Sequence, residues 1–76
     1  MRIISENRFI DVPYDLSVIR VADERIVADI CDLRYELAHP DTYKQAKSAL
    51  SAIQDAYLSG AKAVYMDYIM EETRDT

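Results

Sequence analysis

The sequence predicts an α+β domain: an antiparallel β-meander of about five short strands, one amphipathic helix packed on it, and a short C-terminal strand. Three observations carry this expectation. Short runs of Ile, Val, Leu and Tyr, each bounded by polar residues, fill the chain as far as Ala38. One longer segment after Ala38 has apolar residues at helical spacing. The only glycine, Gly60, stands where a left-handed residue would close that helix.

Arg2 to Ser5 is the first candidate strand, with Glu6-Asn7-Arg8 as its turn and Phe9 to Val12 as the second strand. Pro13 ends that strand or lies at a sheet edge, because proline has no N–H to give to a ladder. Leu16 to Val21 is the third strand, followed by a turn at Ala22-Asp23-Glu24. Arg25 to Cys31 is the fourth. Leu33 to Leu37 is the fifth, with Leu33, Tyr35 and Leu37 on one face and Arg34 and Glu36 on the other. Connections this short favour antiparallel pairing. The same stretch carries a second pattern. Ile26, Ile30, Leu33 and Leu37 also recur at helical intervals, and Asp23-Glu24 could begin such a helix, so residues 25–38 read as two strands or as a helix.

His39-Pro40-Asp41 breaks the run, and Thr42-x-x-Gln45 fits a capping box. Tyr43, Ala46, Leu50, Ile53 and Tyr57 then form an apolar stripe, with Lys44, Lys47, Ser48, Ser51, Gln54 and Asp55 on the other faces. A helix of this length needs a surface to bury its stripe, and the sheet is the available one. Ala63 to Ile69 reads as a last strand by its β-branched and aromatic content. A helical continuation is the alternative, since Ala61, Val64, Tyr65 and Tyr68 share a helical face. Residues 71–76 form a polar tail, which leaves one domain over residues 1–70.

The 76 residues allow a single domain, and 50% hydrophobic with 30% charged residues is a globular balance. The net charge is -5. The arginines are interleaved with acids and form no basic run, so neither a nucleic acid nor an anionic membrane is an expected partner. With no leader pattern and no apolar stretch of spanning length, a cytoplasmic protein is expected.

Chemistry has few footholds. Cys31 is the only cysteine, which forbids an intrachain disulfide, and its apolar run suggests a small buried hydrophobe. His39 is the only histidine and has no nucleophile signature around it. Asp29 with Asp32, and Glu71 with Glu72, match no calcium-loop spacing and read as solvated acid. There is no Gly-rich phosphate loop. No catalytic residue, metal or cofactor is expected. The six tyrosines (Tyr14, Tyr35, Tyr43, Tyr57, Tyr65 and Tyr68) are the suggestive feature, since tyrosine is enriched at protein interfaces. Tyr43 and Tyr57 would flank the helix stripe and Tyr35 would line the core. Tyr65 and Tyr68 would point to opposite faces of a regular last strand. Tyr65, Tyr68, Tyr14 and Val64 are therefore the interface candidates, Val64 because its strand could leave an open edge.

The order of features carries a resemblance. Met1-Arg2-Ile3-Ile4-Ser5, Ile10-Asp11-Val12-Pro13-Tyr14, Ser17-Val18-Ile19, Tyr35-Glu36-Leu37-Ala38, Ala46, Ala56-Tyr57 and Val64-Tyr65-Met66 together resemble a group of small proteins of Gram-positive, mainly clostridial and streptococcal, bacteria and their phages or mobile elements. The resemblance spans roughly residues 1–67. It implies a β-meander followed by one helix, favours strands over residues 25–38, and implies no reaction and no site residues. Asn7-Arg8 stands where such proteins often have an Asp-Gly turn, so a looser first hairpin is expected. The functional expectation is a non-enzymatic interaction module that binds itself or another protein. An acidic regulator occupying a host nucleic-acid-binding protein is the alternative, and a small ligand carrier or enzyme the third.

Overall fold

The computed structural model describes residues 1–74. The chain is α+β, but it divides its strands between two three-stranded sheets and adds a second helix. In order, it forms β1 (Arg2–Ile4), β2 (Asp11–Pro13), a 3-10 turn (Tyr14–Leu16), β3 (Val18–Ala22), β4 (Arg25–Ile30) and β5 (Leu33–Ala38). Then come α1 (Tyr43–Leu58), β6 (Ala63–Tyr65) and α2 (Met66–Thr73). The strands β3, β4 and β5 make an antiparallel meander. The second sheet has the order β2-β1-β6, with β1 antiparallel to β2 and parallel to β6. The expected five-strand meander is thus cut after β2, because β1 pairs with the end of the chain and not with the meander. A bond from the Glu6 N–H, just past β1, to the Leu37 carbonyl of β5 (2.7 Å) links the two sheets.

Residues 25–38 are strands. Two tight turns decide this locally, at Asp23-Glu24 and Cys31-Asp32, where all four residues hold positive φ (53°, 66°, 48° and 68°). A two-residue turn with both φ values positive matches the twist of the strands it joins. The clean alternation expected of β5 fails at its end. Ile26 faces Ala38 while Val27 faces Glu36, so Leu37 is the extra residue of a bulge. The bulge turns both Leu37 and Ala38 into the core.

Helix α1 begins as the sequence suggests, with the Gln45 N–H donating to Thr42 Oγ1 (3.0 Å). The reciprocal bond lands one residue upstream, from the Asp41 N–H to Gln45 Oε1 (2.6 Å). Its far end closes on Gly60 at φ 86°, with Gly60 N–H bonded to the Tyr57 carbonyl and Ala61 N–H to that of Ala56. These are the two bonds of a Schellman cap. The buried face is narrower than the apolar stripe implies. It consists of Gln45, Ala46, Ala49 and Ile53, while Tyr43 and Tyr57 at the stripe's ends are exposed.

The stretch Ala63 to Ile69 contains both a strand and a helix. β1 offers only Arg2, Ile3 and Ile4 as partners, opposite Ala63, Val64 and Tyr65. Beyond Tyr65 no neighbouring strand can satisfy the backbone, and a helix satisfies it internally. Met66, Ile69, Met70 and Thr73, at helical spacing, are all buried. Glu71 to Thr73 of the expected polar tail therefore belong to α2; Asp75 and Thr76 lie outside the described residues. The core joins both sheets to both helices through Ile3, Val12, Ile26, Leu37, Ile53, Met66 and Met70. No helix among the described residues is long and apolar enough to cross a membrane.

Candidate functional site

Two segments far apart in sequence build one exposed cluster. The first is the β1–β2 connection. The Ser5 N–H bonds the Ile10 carbonyl (2.8 Å) and the Arg8 N–H bonds the Ser5 carbonyl (2.9 Å). The buried Ser5 hydroxyl donates to Asn7 Oδ1 (2.7 Å) and accepts from the Ile10 N–H (3.0 Å), while Asn7 Oδ1 also accepts from the Phe9 N–H (3.0 Å). The hairpin is thus closely knit, not loose: Ser5 and Asn7 supply side-chain bonds that an Asp-Gly turn does not. The cost falls on Arg8, whose φ is 69°. The same geometry turns Phe9 outward, 89% exposed.

The second segment is the junction of β6 and α2. Strand alternation sends Val64 inward, Tyr65 outward and Met66 inward. The switch to helix then brings Tyr68 back towards Tyr65, with ring centroids 5.8 Å apart in an edge-on arrangement. The parallel pairing of β1 with β6 sets Tyr65 opposite Ile4, at the base of the β1–β2 connection. Arg8 fills the gap. Its Nε and Nη2 both donate to Asp67 Oδ2 (3.1 and 2.8 Å), and its Cζ lies 4.5 Å from the Tyr65 centroid and 5.3 Å from that of Tyr68. A guanidinium over an aromatic face is attracted by the ring quadrupole. The Arg8 bond holds the Asp67 carboxyl below the usual carboxylate range, against an opposing push from burial, with the first amides of α2 adding to the lowering. Reciprocally, Asp67 and then the Tyr68 hydroxyl hold the Arg8 guanidinium above its ordinary value. Asp67 Oδ1 is buried and has no hydrogen-bond partner of normal geometry.

Of the four interface candidates, Tyr65 and Tyr68 meet here, through a strand-to-helix change and not across a regular strand. The Val64 side chain packs in the core, 8% exposed, but its strand β6 is an edge strand, paired with β1 on one side. Tyr14 is half-buried elsewhere and stacks on Tyr57, with centroids 4.4 Å apart. That pair sits beside Asp15, whose charge pushes the Tyr57 hydroxyl's pKa up. Sequence reasoning missed Arg8, Phe9 and Asp67. Asp67 had a local signal, because Tyr65-Met66-Asp67-Tyr68 places it between the two tyrosines at helical reach. Arg8 had none, being brought in only by the long-range pairing of β1 with β6.

Cys31, His39 and the acidic pairs are dispersed over the fold. Cys31 is exposed in the β4–β5 turn, not buried, because the fourth strand ends before it. His39 follows β5 at its other end, about 20 Å away by strand rise. The His39 backbone N–H bonds Glu6 Oε1 (3.2 Å). Asp29 pairs with Arg20 and Arg34, and Asp32 lies in the Cys31 turn. Among the described residues no three His, Cys, Asp or Glu side chains gather to hold a metal. An open groove of about 530 Å³ beside the start of α1 is lined by Val21, Glu24, His39, Pro40 and Tyr43 among others. Comparison with protein-family models, with curated proteins and with solved structures finds no match to this chain.

Proposed function

We propose that this chain is a small, non-enzymatic protein-interaction domain whose contact face is formed by Phe9, Tyr65, Tyr68 and Arg8. The carrying observation is the Arg8 guanidinium, anchored on Asp67 and lying over both tyrosines, on a surface where Tyr68 is 58% and Phe9 89% exposed. Tyrosine and arginine dominate the energetic centres of protein interfaces. Here the rings are held in place before any partner arrives, which reduces the ordering cost of association. Phe9, next to Arg8 in the chain and exposed, adds apolar area. A second copy of the chain is one possible partner, and a different protein is the other.

The test compares the wild-type chain with Tyr68→Ala and Phe9→Ser in affinity capture from a bacterial lysate, with light scattering on each purified protein. The expected outcome is a saturable partner, or a stable dimer, that Tyr68→Ala weakens by at least about 2 kcal/mol, roughly thirty-fold. A strictly monomeric protein that captures nothing, or a partner held equally well by both variants, would overturn the proposal.

A further inference from the structure

We infer that the Tyr65–Asp67–Tyr68 face is a receptor for a guanidinium group, filled at rest by Arg8 of the same chain and open to exchange with an arginine of a partner peptide. The inference deepens the contact-face reading above and rests on it. Two ring faces and one carboxylate converge on a single cation, which is the chemistry that recognises a planar, delocalised charge. The resident cation comes from a turn, and its side chain is 46% exposed. Withdrawing that side chain breaks no ladder bond, since the backbone of Arg8 is held separately by the Ser5 carbonyl. Arg8 also uses the site incompletely. Both of its bonds go to Asp67 Oδ2, and Oδ1 stays without a partner of normal geometry. An arginine on a peptide is free of the angle the turn imposes and can approach the carboxylate and both rings along a path of its own.

Charge selects the class of partner. The chain carries -5, so a basic peptide is drawn to it and a second copy is repelled. The exchange is also a brake. A ligand competing with a resident group binds more weakly by the fraction of time the site is vacant.

The test uses the full chain with Arg8→Gly, a substitution that suits the left-handed backbone, and Arg8→Asn as a second variant that also tolerates it. The probe is arginine amide, followed by the ring resonances of the tyrosines, with circular dichroism confirming the fold. The expected result is saturable binding about ten-fold tighter in both variants than in the wild type, with lysine amide weaker and Asp67→Asn abolishing the gain. Folded variants that bind arginine amide no more tightly than the wild type would overturn the inference. A captured partner lost on Tyr68→Ala but not displaced by arginine amide would also overturn it while leaving the contact face standing. A dimer that Arg8→Gly dissolves would overturn it by making the second copy's Arg8 the occupant.

Discussion

Gln45→Met tests how α2, which carries Asp67 and Tyr68 of the proposed contact face, is held in place. Gln45 is buried on α1, and its amide reaches across to α2. Nε2 donates to the Met70 carbonyl (2.9 Å) and approaches Thr73 Oγ1 (3.4 Å), while Oε1 accepts from the Asp41 N–H. Met70 lies among the last four residues of α2, whose carbonyls have no partner within the helix. Methionine fills similar volume but leaves that buried carbonyl unpaired, at a cost of about 1–3 kcal/mol. The Asp41 amide is lost as well, but Asp41 is exposed and water can replace the bond. The expected loss is about 2.5 kcal/mol, against a total of about 4–11 kcal/mol for a chain of this length. At about 6 °C per kcal/mol for a domain of this size, Tm falls by roughly 15 °C. The assay is thermal and urea unfolding followed by circular dichroism. Gln45→Glu is the comparator: it cannot donate to the Met70 carbonyl while ionised, and recovers stability as acid protonates it. A loss below about 1 kcal/mol for Gln45→Met, with no acid recovery in Gln45→Glu, would falsify the reasoning and mean that apolar packing alone holds α2.

The remaining predictions concern turns and charges. Glu24→Gly relieves a left-handed residue and is expected to raise stability by about 0.5–1 kcal/mol after the entropy cost of glycine, measured by urea midpoint; a lower midpoint would contradict it. The folded pKa of Asp67 is lowered, so its stabilising contribution is complete above the ordinary value of 3.8 and is lost as pH falls through the lower folded value. Asp67→Asn should remove that part of the acid sensitivity, and unfolding midpoints of the two proteins that fall in parallel below pH 3.8 would show otherwise. The Tyr57 hydroxyl is raised above 10.0 chiefly by the Asp15 charge, so stability is expected to decline as alkali ionises it. Asp15→Asn should bring its titration back towards 10.0, read as the ultraviolet difference from Tyr57→Phe.

What was legible in the sequence was what neighbours in sequence determine. The capping residue Thr42, the closing Gly60 and the short strands of the meander each depend on residues within one turn or one hairpin. The division into two sheets depends on β1 pairing with β6, which no local pattern records. Reading Ala63 to Ile69 as a strand or as a helical continuation left the boundary at Tyr65 unseen for the same reason, since the strand's length is limited by β1. A buried stripe was nonetheless written there, at Met66, Ile69, Met70 and Thr73, and the aromatic content of the segment masked it. The site divides likewise. Tyr65 and Tyr68 were visible as tyrosines, whereas Arg8 was one of several arginines interleaved with acids. Arg2, Arg20, Arg25 and Arg34 do pair with nearby acids on the exposed sheet surfaces, where such pairs add little. Arg8, by contrast, reaches 59 residues along the chain to Asp67.

The parallel pairing of β1 with β6 also sets an order of events. The hairpins of the meander close over two-residue turns, whereas joining Arg2 to Ala63 encloses almost the entire chain, at an entropy cost of about 3–4 kcal/mol. The meander is therefore expected to form early and the β1–β6 seam last; pulse-labelled hydrogen exchange protecting β1 before β4 would contradict that order. Because Tyr65, Asp67 and Arg8 meet across that seam, the proposed contact face is expected to assemble only once β1 and β6 have paired.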